Sequence, residues 1–305
     1  MNEGKRYVAT IGMFDGVHRG HQYLIEQVKH VAEATGRQSM VITFDRHPRQ
    51  VLHSDYQPLL LSSLDVKELL LSRQRPDRVE VLHFDEALAS MSAHDFMHDV
   101  LRKQYGVECL VLGYDNRFGR RDREETFEDY VAYGREIGME VIRAKELDGD
   151  EHVSSSHVRR LLAAGDVEGA NRCLGYNYTI VGRVVGGEQN GRQIGFPTAN
   201  IDTTDWGLMM PAAGVYAVKV RKKNSMSLMC GMMNIGKRPT FDGTGQTAEV
   251  NIFDFNENLY GEILLVAFVS RVREEHRFES PEQLAEQLTK DREIIEELFN
   301  KDSDE

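Results

Sequence analysis

Two histidines, an aspartate and three glycines fall within one short run, Ile11-Gly12-Met13-Phe14-Asp15-Gly16-Val17-His18-Arg19-Gly20-His21, directly after the apolar segment Tyr7-Val8-Ala9-Thr10. The order reads as a strand, a glycine-rich turn and the first turn of a helix. Such a turn leaves backbone N–H groups pointing into solvent, where the helix dipole favours an anion. Histidines three residues apart share a helical face, so His18 and His21 can both aim at that anion. Gly16 and Gly20 strip side chains from the turn and let phosphate oxygens approach the backbone. The chemistry this suits is phosphorus transfer. A chance surface pair of imidazoles, or the start of a zinc site, would account for the histidines but not for the glycines.

Three further segments can converge on the same place. Ser154-Ser155-Ser156-His157-Val158-Arg159 reads as the capped start of a helix, and equally as a phosphate clamp in which Arg159 neutralises a leaving pyrophosphate. Thr43-Phe44-Asp45-Arg46-His47-Pro48 and Asp115-Asn116-Arg117-Phe118-Gly119 each follow an apolar run and are candidates for the same crevice, though such loops are often merely solvated.

A second constellation lies further along. Gly182-Arg183-Val184-Val185-Gly186-Gly187 leads through Asn190-Gly191-Arg192 to Gly195-Phe196-Pro197-Thr198-Ala199-Asn200. The glycines can be plain hairpin turns. In an extended segment, however, Thr198 and Asn200 share a face, and a hydroxyl beside an amide oxygen can ligate Mg²⁺ and its phosphates. Glu249 stands on one face of a strand with Asn251, while Val250 and Ile252 point the other way. A carboxylate there is either a solvated edge residue or a general base. Phosphorylating an alcohol needs such a base, whereas a phosphate nucleophile is already ionised.

The elements that must position these groups differ between the two halves. Up to about residue 174, apolar runs at Val8–Ile11, Met40–Phe44, Val79–Phe84, Cys109–Gly113 and Met139–Arg143 alternate with amphipathic stretches. That pattern predicts an α/β domain with a parallel sheet covered on both faces, whose ligands sit beyond the strands' carboxyl ends. From Tyr176 the texture changes to period-two runs: Tyr178–Val184, Val215–Val220, Leu228–Ile235, Ala248–Phe255 and Ile263–Val272. These predict a small antiparallel barrel or sandwich. Ser280-Pro281-Glu282-Gln283 then opens a last helix with an N-cap, a proline at N1 and a capping-box glutamine. The boundary is expected near Gly175, giving domains 1–174 and 175–305.

At 305 residues the chain has room for two cores. Its net charge of −12 argues against general nucleic-acid binding, though not against a nucleotide ligand. No apolar run approaches the roughly 20 residues that span a bilayer, and the start lacks a signal-peptide core. Cys109, Cys173 and Cys230 are odd in number and widely spaced, which suggests a reduced, cytoplasmic protein. Small-molecule partners are expected; oligomeric state is not inferable.

The Gly12–His21 string, with Thr43–Pro48 and the serine–arginine segment, resembles the nucleotidylyltransferase superfamily, and within it the FMN adenylyltransferase module of bacterial bifunctional riboflavin kinase/FAD synthetases. The resemblance implies a Rossmann-like domain in which FMN attacks the α-phosphorus of ATP, giving FAD and pyrophosphate. It would place His18, His21, Gly12, Phe14, Asp15, Gly16 and Gly20 at ATP, with Ser155, Ser156 and Arg159 beside them, and His47, Asp115 and Arg117 at the flavin. The Gly-Phe-Pro-Thr-Ala-Asn segment, with Gly214-Val215-Tyr216, Asn234-Ile235-Gly236 and Glu249–Phe255, resembles the riboflavin kinase module. This implies a six-stranded barrel with Gly182, Gly191, Pro197 and Asn200 at ATP, Thr198 and Asn200 at Mg²⁺, and Glu249 as base on the 5′-hydroxyl of riboflavin. Asp291 is a candidate flavin contact or simply part of a solvated charge run. Against the bifunctional reading stand a chain with one degenerate domain, a non-catalytic flavin-binding protein, and a transferase acting on another phosphomonoester.

Overall fold

The computed structural model describes residues 6–47, 51, 59–114, 118–120, 125–147, 153–187, 191, 194–240 and 243–301. Contacts divide the chain into two units, Met1–Pro58 with Leu64–Val153, and Leu59–Ser63 with Ser154–Glu305.

In the first unit, β1 (Tyr7–Ile11), β2 (Gln38–Phe44), β3 (Arg78–Leu82), β4 (Val107–Leu112) and β5 (Glu140–Arg143) form one parallel sheet in the order β3-β2-β1-β4-β5. All of β1 is buried, as expected of a strand covered on both faces. Helix α1 (Arg19–Ala34) buries Leu24, Ile25, Val28 and Ala32, a stripe at helical spacing. Helix α2 (Leu64–Arg73) follows β2, and α3 (Glu86–Ser90) follows β3. The strand order reverses at β1, so the turn that leaves its carboxyl end enters the crevice where open α/β sheets bind ligands.

Two local departures from the sequence pattern have physical causes. The apolar run at Val79–Phe84 stops pairing at Leu82, because the Phe84 N–H donates to Asp45 Oδ1 at 2.9 Å. The amphipathic stretch around Phe96 begins as α4 (Ala93–Asp95) and continues as a π-helix, Phe96–Gln104. Phe96 and Leu101, both buried, are five residues apart, and the Tyr105 N–H reaches the Val100 carbonyl at 3.1 Å. Helix α5 (Phe127–Ile137) completes this unit.

The second unit opens with α6 (Ser155–Ala164) and α7 (Val167–Leu174), and Gly175 closes α7 at φ 79°, the left-handed cap expected from the sequence. Then come β6 (Thr179–Val185), β7 (Ala199–Asp202), β8 (Gly214–Lys222), β9 (Met229–Thr240), β10 (Gly243–Ile252) and β11 (Ile263–Arg273), which close into a barrel in the order β10-β7-β6-β11-β8-β9. The buried rings of Tyr178, Tyr216 and Phe268 meet with centroids 5.3 and 6.2 Å apart. On the alternate residues, Val215, Ala217 and Met232 pack against Ile295 and Phe299 of α8 (Pro281–Lys301). At its start, Ser280 Oγ accepts the Gln283 N–H at 3.3 Å, but Gln283 Oε1 takes the Glu279 N–H at 3.2 Å and does not close the expected box on Ser280. The α6–α7 pair is tied to this unit: the Asn171 amide donates to the Phe268 carbonyl at 2.9 Å, and Glu168 accepts the Arg271 N–H at 3.1 Å.

Candidate active sites

The glycine turn after β1 is built on left-handed backbone. Phe14 (φ 48°), Gly16 (φ 76°) and Val17 (φ 37°) all occupy that region, which is costly for the two with side chains. Residues Phe14 to His18 are buried, so the turn is not the solvent-open loop that the sequence suggests. Gly12 lies under the Phe14 ring, which leaves 3.3 Å for an added Cβ, and Phe14 stands edge-on to His21 with centroids 5.1 Å apart. The Phe14 side chain therefore supports the histidines. Gly20 has the His18 ring 3.3 Å and the Val153 carbonyl 3.5 Å from where its Cβ would stand.

His18 is the N-cap of α1, and its Nδ1 accepts the His21 N–H at 3.3 Å. That leaves Nε2 as its donor nitrogen. The two imidazoles stack with centroids 3.6 Å apart. Burial, then His18, then Lys67 hold His21 well below its usual pKa, so it is neutral. Among the described residues, His21 Nδ1 and Thr10 Oγ1 are buried without a hydrogen-bond partner. A buried imidazole nitrogen without a partner, as on His21, is a polar group that a ligand could satisfy. No group of three or more His, Cys, Asp or Glu side chains able to hold a metal occurs among the described residues, so the zinc alternative finds no further ligands there.

At the end of β2, Asp45 accepts the Phe84 N–H and lies 2.6 Å from His83 Nδ1, and these partners lower its pKa despite the opposing effect of burial. His47 follows, half-buried. Asp115 and Arg117 lie outside the described residues. Ser154, not Ser155 or Ser156, caps α6 by accepting the His157 N–H at 3.2 Å. Ser155 and Ser156 form its first turn, and Arg159 Nε donates to the Leu59 carbonyl at 2.7 Å.

In the barrel, register aligns the second constellation. Asn200 on β7 and Asn234 on β9 both pair with Glu249 on β10, so the carboxylate lies between two amides in a row across three strands. Thr198 Oγ1 donates to Glu249 Oε2 at 3.2 Å. Asn251 is buried, and its amide donates to the Pro197 carbonyl at 2.7 Å, which fixes the segment carrying Thr198. A Cβ on Gly187 would collide with the Asn200 amide, one on Gly182 with Ile201, and one on Gly191 with the Phe196 carbonyl. Each of these glycines permits a close approach.

Glu249 and Asn251 open onto a cavity of about 720 Å³ between the barrel wall and the start of α8, with apolar walls from Phe196, Met232, Phe278 and Leu288. A second cavity of about 350 Å³ is lined by Pro197, Ala199, Val250 and Tyr260, and Thr198 borders both. Such volumes suit small-molecule ligands. Thr198 and Asn200 offer neutral oxygens beside one carboxylate. That donor set fits a hard cation which takes its other ligands from water and phosphate.

Asp291 does not line this cavity, nor is it solvated. It is fully buried, and Arg273 bonds it bidentately with Nε at 3.0 Å and Nη2 at 2.8 Å, while Gln287 donates at 2.9 Å. It is Arg273 that reaches the cavity wall. The sequence pattern does not single out Arg273 or Lys67, and it marks Asn234 only within the Asn234-Ile235-Gly236 segment. Lys67 carried one visible signal: it occupies the apolar stripe of α2, three residues after Leu64 and four before Leu71.

A parallel sheet with a histidine-bearing glycine turn, followed by a barrel with a carboxylate at a cavity, fits a two-part transferase of nucleotide-dependent chemistry. The FAD synthetase family model matches residues 1–158, and the riboflavin kinase family model matches residues 174–299. Curated proteins named bifunctional riboflavin kinase/FMN adenylyltransferase are similar over nearly the whole chain. The one from Haemophilus influenzae is 37% identical, covering 95% of this chain and 94% of that protein. That of Escherichia coli K12 is 36% identical over 96% and 92%, and that of Bacillus subtilis 35% identical over 98% and 94%. A crystal structure of a Streptococcus pneumoniae protein named for macrolide efflux aligns with TM-score 0.86 at 33% identity, covering 97% of this chain and 95% of that one. Among the described residues no helix is long and apolar enough to cross a membrane. The chain belongs to the bifunctional riboflavin kinase/FMN adenylyltransferase family.

Proposed function

We infer that the barrel phosphorylates riboflavin with ATP to give FMN, and that the N-terminal sheet adenylylates FMN with a second ATP to give FAD and pyrophosphate. Residues 1–174 carry the adenylyl transfer and residues 175–305 the kinase reaction. The observation that carries the reading is the position of Glu249: it borders the larger, apolar-walled cavity and touches Thr198, which borders both cavities. A planar flavin suits the apolar space, and ATP the neighbouring one.

In the kinase reaction Glu249 accepts the proton of the ribityl 5′-hydroxyl as it attacks the γ-phosphorus. One oxygen is held by Thr198, and the other has no protein donor among the described residues. Thr198 and Asn200 would hold Mg²⁺, which would offset phosphate charge. In the adenylyl transfer the nucleophile is a phosphate already ionised at neutral pH, so alignment and charge stabilisation suffice. His18 and His21 act there as donors through Nε2, with His21 neutral, and Ser155, Ser156 and Arg159 bind phosphate oxygens. The flavin side takes His47, Asp115 and Arg117. The three separated thiols suit a reducing cytoplasm, and the acidic net charge gives nucleic acid no broad surface to bind.

The test is a time course with riboflavin, ATP and Mg²⁺, resolving the flavins. FMN should appear first and FAD follow, with both absent when Mg²⁺ is chelated. Conversion of added FMN to FAD without any phosphorylation of riboflavin would reduce the chain to a single activity.

A further inference from the structure

Lys67 is only 5% exposed, although it sits on a helix with solvent on its other side. Its Nζ donates to the Phe44 carbonyl at 2.7 Å and to the Met13 carbonyl at 3.2 Å. The first is the last residue of β2; the second begins the left-handed turn of Phe14 to Val17. Thr43 Oγ1 donates to the same Met13 carbonyl at 3.1 Å, so that peptide is held from two sides. The ammonium's third proton has no acceptor among the described residues.

We propose that Lys67 is a positioning residue of the adenylyl-transfer site, pinning the His18–His21 turn to the end of β2 and supplying a fixed positive charge beneath the anion cradle. Strained backbone such as Phe14 and Val17 persists only where its surroundings over-determine it, and the two donors on the Met13 carbonyl do that. Bracing alone would not require a charge, because a neutral amide can donate to carbonyls without the penalty of burying an ammonium. The charge is accommodated by Asp15, Asp45 and Glu68, which oppose the lowering of the lysine pKa by burial. Its effect is felt at His21, where burial, His18 and Lys67 together disfavour the imidazolium. The site thus places a fixed positive charge on Lys67 and keeps the His21 imidazole as a neutral donor.

The inference rests on the adenylyl-transfer reading, so the experiment has one arm independent of it. In the full-length chain, Lys67→Met and Lys67→Gln are compared with the parent by FMN-to-FAD kinetics across pH, riboflavin kinase rate, and NMR titration of the His21 ring without substrate. Lys67→Met should lower kcat for FAD formation at least 30-fold, with the kinase rate within twofold as the control for folding. The His21 titration and the acid limb of the FAD profile should both move to higher pH, because a neighbouring cation has gone. Lys67→Gln should recover part of the rate through its remaining donor, yet show the same upward movement. FAD formation within threefold of the parent in Lys67→Met overturns the proposal. So does a lost rate with the His21 titration unmoved, since Lys67 would then be a brace only. A parent that makes no FAD overturns the underlying activity instead, while the ring titration still reports on the charge.

Discussion

The buried pair of Arg273 and Asp291 gives a stability and a binding effect that can be separated. Asp291 is fully buried and the Arg273 side chain is 15% exposed. Asp291→Asn removes the charge that compensates Arg273 and keeps the size. Breaking a buried pair by altering one partner costs about 3–5 kcal/mol, mainly because the other charge is left unsolvated. In a unit of this size each kcal/mol shifts the midpoint by roughly 2–4 °C, so the barrel should melt roughly 6–20 °C lower. Replacing both partners, as Asp291→Leu with Arg273→Met, should recover most of that loss, because well-packed apolar side chains often substitute for a buried pair at little cost.

Binding should not recover with stability. Arg273 lines the larger cavity, with its guanidinium 5.7 Å from the Phe278 ring centroid, whereas Asp291 lies behind it. The double variant should therefore regain its melting temperature while its KM for riboflavin stays raised at least tenfold and its KM for FMN in FAD formation stays unchanged. Melting curves combined with separate kinase and adenylyltransferase assays check both arms. The reasoning fails if Asp291→Asn melts with the parent, or if the double variant binds riboflavin normally.

Gly187→Ala should push the Asn200 amide aside and lower kinase activity at least tenfold, while Gly186→Ala, whose Cβ would meet nothing within 4 Å, leaves it within twofold; FAD formation is the internal control. The depressed pKa of His21 makes the first unit sensitive to mild acid. Between the folded value and about 6.5 in the unfolded chain, the unfolded state binds the extra proton, so stability falls as pH drops through that window. Melting of the first unit at pH 7.5 and pH 5.5 should show this fall, and His21→Gln should flatten it.

Strong periodicity and turn chemistry exposed most of this architecture in the sequence. The inner parallel strands β1, β2 and β4 read as near-continuous apolar runs because both faces are covered, and Gly175 read as a cap because only glycine takes φ 79° freely there. The short β7 was less visible: Ala199–Asp202 is four residues long and half polar, too short for period-two alternation to stand out. The candidate site residues legible from spacing were those whose neighbours are close in sequence, such as His18 with His21 and Thr198 with Asn200. Lys67 and Arg273 escaped, and Asn234 stood out only within its segment, because their placement depends on the ends or registers of distant strands. Asp291 stood out in the sequence, but its burial did not, because that burial goes with the bidentate pairing to Arg273 on β11.

The division of labour is tested most directly by exchanging one residue in each half and assaying both reactions. His21→Ala should convert riboflavin to FMN and stop there. Glu249→Ala should fail to phosphorylate riboflavin, losing about 10²–10⁴-fold in rate, yet convert added FMN to FAD at the parent's rate. If each folded variant loses both reactions equally, the two sites do not act separately and the account is wrong.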